Sequence, residues 1–372
     1  MAEPLKNQYG ADVPGAIASM IAAVHPAFSS AMFESDVLDG YEALELMPRG
    51  KKIAQTLHRY LPQDYPQAIA ILLASLDQPH GRDPQQSMAS FLYLPHTLFV
   101  AEFGLAHFEL SMQAQHTLTQ RFTAEFSIRA FIEHNPQATL RQLEVWTRDP
   151  SPHVRRLVSE GTRPRLPWAP RLRQFQADPT PVLALLERLK DDPDLYVRRS
   201  VANNLNDIGK DHPELLASTA EKWLRGASAE RAWIVGHALR SAVKRGESGA
   251  LKALGFGKTA QVAVDNFQIQ PAKAVMGTAV SMAFSITNIS PLAQRVLVDL
   301  GVAYIKANGK STLKVFKLKT VELAPDQTIT LCKTLSLAEM TTRKHYSGIH
   351  NVTMILNGQS QPLGEFLLVK AE

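Results

Sequence analysis

The chain has one cysteine, Cys332, in 372 residues. That excludes an internal disulfide and a thiolate-rich zinc site, so a reducing compartment is acceptable. No apolar run is long enough to span a bilayer. The start, MAEPLKNQYG, lacks the basic, apolar and small-residue succession of a signal peptide. The expectation is a cytoplasmic protein that does not engage membranes. The 12 histidines include no His-x-x-x-His pair with a third ligand, so no metal is expected. A glycine-rich phosphate loop and a Gly-x-Ser-x-Gly elbow are also missing, and no cofactor is expected.

What is present is a modest excess of positive charge, +5, and 45% hydrophobic residues, enough for a packed core in each of two domains. A basic balance favours a polyanionic partner once the charge is localised. The segment from Val154 to Trp168, VRRLVSEGTRPRLPW, does localise it: Arg155, Arg156, Arg163 and Arg165 surround Glu160. Guanidinium groups at this density match phosphate oxygens in a forked, charge-assisted geometry. The bland reading is a basic face carrying one salt bridge.

The same segment belongs to a repeat. LEVWTRDPSPHVRRLVSEGTR, from Leu143, resembles LERLKDDPDLYVRRSVANNLN, from Leu186, at an offset of 43 residues. Both read as helix, turn, helix, with Asp149-Pro150 and Asp192-Pro193 at the turns. Weaker copies run from Ala220 to Lys244 and from Phe99 to Glu133. Helical pairs at this period predict an all-α solenoid whose second helices line one face. Aligned by offset, Arg121, Arg156, Arg199 and Trp233 form one row, and Glu125, Glu160, Asn203 and His237 a second, one turn along each helix. Arg163, Asn206 and Arg240 form a third, with Asp207 beside it and Arg165 and Trp168 arriving from a loop. The first arginines, Arg155 and Arg198, are expected to turn back to the Asp149 and Asp192 turns, and Trp146 and Trp223 to be core. Further helices are predicted at Val13–Val24, Met47–Tyr60 and Gln67–Leu76 by apolar spacing.

Beyond Lys244 a glycine-rich stretch, RGESGALKALGFGKTAQ, leads into alternating segments with a hairpin signal at Asn308-Gly309. Seven or eight short strands suit an immunoglobulin-like sandwich. The expected organisation is therefore multidomain: helical repeats over 1–255, then the all-β sandwich over 256–372. The sandwich has basic edges at Lys314, Lys317 and Lys319 and a basic loop with Arg343, Lys344 and His345. The bland reading of these residues is that they protect strand edges from pairing.

VRRLVSEGTRPRLPW and YVRRSVANNLNDIGKDHP, from Tyr196 to Pro213, resemble the signature segments of the AlkC family of bacterial DNA glycosylases. The resemblance covers the helical region to about residue 255, and the sandwich is similar to that of the family variant with an immunoglobulin-like domain. It implies HEAT-like repeats and hydrolytic removal of cationic alkylated bases, chiefly N3-methyladenine, from double-stranded DNA, without flipping of the base. N3-methylcytosine and N1-methyladenine stay open as further substrates. Carried over, it implies Glu125, Glu160, Trp168 and Asp207 around the lesion, with Arg156 beside them. The remaining groove residues, Arg121, Arg163, Arg165, Arg199, Asn203, Trp233, His237 and Arg240, and Arg343 and Lys344 of the sandwich, are candidates for DNA contact. A monomer working at the bacterial nucleoid is implied. A scaffold of HEAT-like repeats binding protein or DNA is the alternative, and it would need no carboxylates inside a basic groove.

Overall fold

The computed structural model describes residues 5–79, 88–257, 259–339 and 344–370. Among these, fifteen α-helices come first: α1 (Asp12–Val24), α2 (Ser30–Leu38), α3 (Leu46–Tyr60), α4 (Tyr65–Ala74), α5 (Leu94–Phe103), α6 (Phe108–Leu118), α7 (Ser127–His134), α8 (Pro136–Trp146), α9 (Pro152–Gly161), α10 (Arg173–Ala177), α11 (Thr180–Leu189), α12 (Leu195–Ile208), α13 (Pro213–Leu224), α14 (Ala229–Lys244) and α15 (Ser248–Ala253). Eight strands follow: β1 (Val262–Gln270), β2 (Lys273–Val275), β3 (Ala279–Asn288), β4 (Gln294–Ile305), β5 (Ser311–Leu323), β6 (Thr328–Ser336), β7 (Gly348–Leu356) and β8 (Gln359–Val369). Contacts divide the chain into two compact units, one running to Asp211 with Ser228–Ala238, the other His212–Ala227 with Leu239 onward. The composition changes near residue 256, whereas the contacts group α13 and α15 with the strands. Among the described residues no helix is long and apolar enough to cross a membrane.

In the first unit the two strong repeats are built alike. Asp149 accepts the backbone N–H of Ser151 at 2.8 Å, and Asp192 accepts that of Asp194 at 2.9 Å, so each aspartate closes the turn that starts the next helix. Pro152 then opens α9, where a missing N–H is harmless. Arg155 donates to the carbonyls of Asp149 and Pro150, and Arg198 to those of Asp192 and Pro193, as expected. Arg155 does more, bonding the carboxylates of Asp192 and Asp194 and so tying one repeat to the next. Trp146 and, in the other unit, Trp223 are buried. Gly161 lets α9 close on α7, since a Cβ there would come within 2.4 Å of Ile128.

The weak early copy departs from prediction. Arg121 and Glu125 lie between α6 and α7, off any helix. The hydroxyls of Thr119 and Thr123 accept the backbone N–H groups of Ala124 and Glu125, giving the chain local partners that compete with the helical ladder. Arg163 also falls beyond its helix, because Pro164 disfavours helical backbone at the residue before it.

In the second unit the strands form two sheets, β1-β3-β6 and β2-β8-β7-β4-β5, antiparallel except for the short parallel pair of β2 and β8. Alternate residues of β3 (Val280, Met282, Phe284, Ile286) face those of β4 and β7 (Val298, Leu300, Met354) in one core, which makes the predicted immunoglobulin-like sandwich. Phe256 and Leu251 pack on Leu297 of β4, and the Arg295 guanidinium lies 4.8 Å over the Phe256 ring. β5 is an edge strand, and its lysines 314, 317 and 319 are exposed there. Lys344 is exposed, while Arg343 lies outside the described residues.

Candidate active site

Three acids and three bases of the first unit alternate in one connected chain. Glu125 pairs with Arg156, whose other nitrogen reaches Glu160 at 3.6 Å. Glu160 pairs with Arg163 at 2.5 Å, Arg163 with Asp207 at 2.8 Å, and Asp207 with Lys210 at 2.7 Å. Two hydroxyls complete it. Thr123 donates to Glu125 at 2.8 Å while accepting from Arg156 at 2.9 Å, and Ser200 donates to Glu160 at 2.6 Å. Arg163 is largely enclosed; burial works against its charge, but Glu160 and Asp207 outweigh that and hold the guanidinium above its ordinary range. A buried charge is tolerated when opposite charges and hydrogen-bond partners meet it in this way.

Glu125, Glu160 and Arg156 line a cavity of about 520 Å³ with aromatic walls, including Phe122, Trp168 and Tyr196. The Tyr196 ring lies 5.3 Å from the Arg156 guanidinium, and burial raises its phenol above the usual range although Arg156 opposes this. Trp168 is 60% exposed and has φ 64°, left-handed backbone that a bulky side chain seldom adopts. Its loop is fixed by Arg129, whose guanidinium donates to the carbonyls of Gly161, Arg163 and Pro170. Burial pulls Arg129 down to about 10, which leaves it charged at neutral pH.

Of the residues singled out from the sequence, Glu125, Glu160, Trp168, Arg156 and Arg121 border this cavity. Asp207 does not; it is 1% exposed and reaches the site through Arg163. The guanidiniums of Arg156 and Arg163, expected to hold phosphates, are committed to carboxylates. Arg165 pairs with Asp211 and Arg121 with Asp77. Arg199 and Trp233 border a separate cleft with Leu195, and Trp233 stacks on His237 at 5.0 Å, one turn on. Asn203 is half-buried on α12, and Arg240 lies on the part of α14 that belongs to the second unit. Sequence reasoning missed Thr123, Tyr196, Ser200 and Arg129. Tyr196 could have been found, since it directly precedes the repeated Val-Arg-Arg, and so could Thr123, two residues before Glu125; Ser200 and Arg129 act through contacts that no local pattern encodes.

A helical-repeat protein with buried carboxylates on an aromatic cleft, followed by an immunoglobulin-like sandwich, is the class that fold and site define. Residues 263–370 match the family described as "Uncharacterised protein YhaZ, C-terminal Ig-like domain". The chain is 35% identical over 356 residues to the uncharacterized protein YhaZ of Bacillus subtilis (strain 168), covering 95% of this chain and 96% of that one. A solved structure of Pseudomonas fluorescens alkylpurine DNA glycosylase AlkC, bound to DNA containing an abasic site analog, matches with a TM-score of 0.92 and 38% identity, over 99% of this chain and 100% of that one. The chain belongs to the AlkC family and is a DNA glycosylase.

Proposed function

We propose that the protein hydrolyses the N-glycosylic bond of cationic alkylated bases in double-stranded DNA, chiefly N3-methyladenine, acting as a monofunctional enzyme in base excision repair. The observation that carries this reading is the pair of carboxylates, Glu125 and Glu160, on the wall of an aromatic cavity, held there by arginines. Alkylation at a ring nitrogen puts positive charge on the base, so it leaves without a general acid. Positive charge then builds on the deoxyribose, where a fixed carboxylate stabilises it, as in glycoside hydrolysis. Water adds to C1′, its proton passes to a carboxylate, and the bonding pair departs with the base, which becomes neutral.

Tyr196 and Trp168 provide flat faces suited to a cationic base or the exposed sugar. Asp207 holds Arg163 against Glu160 from behind. Phosphate contact falls to exposed cations such as Arg199, and to Lys344 and the β5 lysines as a second grip. The family resemblance supports a base left unflipped and a monomer working at the nucleoid. No lysine stands on the cavity wall as a Schiff-base nucleophile among the described residues, in keeping with base removal without strand cleavage.

The test is to incubate the protein with methylated duplex DNA in chelator and to identify released bases by chromatography. Free N3-methyladenine with strands intact until alkali is the expected result. Activity lost in chelator and regained with metal would count against the proposal.

A further inference from the structure

We infer that the two cavity carboxylates divide the work, Glu125 taking the proton of the attacking water and Glu160 serving as a fixed anion beside the sugar. This rests on the glycosidic reading above and goes beyond it by assigning the two acids different steps. The geometry separates them. Both oxygens of Glu160 are engaged: Oε1 faces Arg163 at 2.5 Å and Arg156 at 3.6 Å, and Oε2 accepts from Ser200 at 2.6 Å. Glu125 is held by one oxygen alone. Its Oε2 takes both Arg156 and Thr123, and its Oε1 has no protein partner among the described residues, yet is not sealed from solvent.

A proton delivered to either oxygen of Glu160 weakens a bond from an N–H or O–H donor already made to that oxygen. One delivered to Glu125 Oε1 weakens none. The elements that carry the two side chains differ accordingly. Glu160 sits on α9 and is clasped by Ser200 of α12, so its position is set by packed helices. Glu125 sits on the segment between α6 and α7, facing the cavity. A water bonded to Glu125 Oε1 adds its oxygen to C1′, its proton passes to that carboxylate, and the C1′–N bonding pair leaves with the base. The protonated Glu125 then returns its proton to solvent.

Chemical rescue distinguishes the roles, because azide attacks C1′ without a general base. In single-turnover excision of N3-methyladenine from methylated duplex, Glu125→Ala is expected to lose on the order of a hundredfold in rate with DNA affinity retained. Sodium azide should restore at least about tenfold of that and yield the deoxyribosyl azide. Glu160→Ala should lose rate and gain nothing from azide, since no nucleophile replaces a fixed charge. Glu125→Gln and Glu160→Gln, which keep the side-chain volume, give the same contrast if an alanine variant does not fold. Rescue of the Glu160 variants alone, of both or of neither would overturn the division, as would a Glu125 variant of undiminished rate. Wild-type protein that released no base would instead overturn the glycosidic reading itself.

Discussion

Single residues show how little of this site is free surface. Asp207 does not reach the cavity, yet it is joined to Glu160 through one guanidinium, and Lys210 balances its other oxygen. Replacing it removes the charge that holds Arg163 in place. Asp207→Asn is therefore expected to slow base release by more than about tenfold, on the order of 1.4 kcal/mol of barrier, while affinity for undamaged duplex stays the same. Single-turnover rates beside fluorescence anisotropy would check this, and a normal rate would make Asp207 purely structural. Glu160 was legible in the sequence because a carboxylate among four arginines is chemically conspicuous, and Glu125 and Asp207 through the repeat alignment and the family resemblance. Their separate surroundings were not. Ser200 lies 40 positions from Glu160, and the bond joining them exists only once α9 and α12 have packed.

Among the elements, the loop from Thr162 to Leu172 carries Trp168 and depends on one buried side chain. Arg129 on α7 takes three of its flanking carbonyls. Arg129→Met keeps much of the volume and removes those donors; it is expected to destabilise the fold by about 3 kcal/mol, the scale of losing hydrogen bonds from a buried charged group. It should also slow excision at temperatures where the protein remains folded, read by pairing a melting curve with a rate. The helix pairs around this loop were legible because Asp-Pro followed by Val-Arg-Arg marks both a turn and a helix start. The segment from Thr119 to Phe126 was not: its charges mimic the helical spacing of the later repeats, while two threonine hydroxyls draw its backbone into a turn. In the sandwich, the alternating residues of β3 and the Asn308-Gly309 turn between β4 and β5 gave the strands away, because a half-buried strand has a period of two.

For the whole molecule, the net charge of +5 is less informative than which cations are engaged. The chain of six charges at the site sums to zero, so its arginines do not supply the attraction for a polyanion. Arg199, exposed on α12, is a different kind of cation. Arg199→Ala is expected to weaken binding to damaged and undamaged duplex alike and to make the dependence of log K on log salt shallower by about one. Arg163→Ala should leave that slope unchanged and reduce the excision rate. Binding isotherms at several salt concentrations separate the two, and equal slopes for wild type and Arg199→Ala would remove Arg199 from the DNA interface.

Trp168 burdens the fold in a way that reaches beyond a single molecule. Left-handed backbone at a non-glycine residue costs roughly 1–2 kcal/mol, and a ring that is 60% exposed returns little of this through burial. For stability alone, glycine or asparagine would serve better at that position. A lineage released from its substrate is therefore expected to shed this tryptophan early, while the buried repeats and the sandwich persist. Position 168 would then sort descendants that still repair DNA from those that have inherited only the architecture.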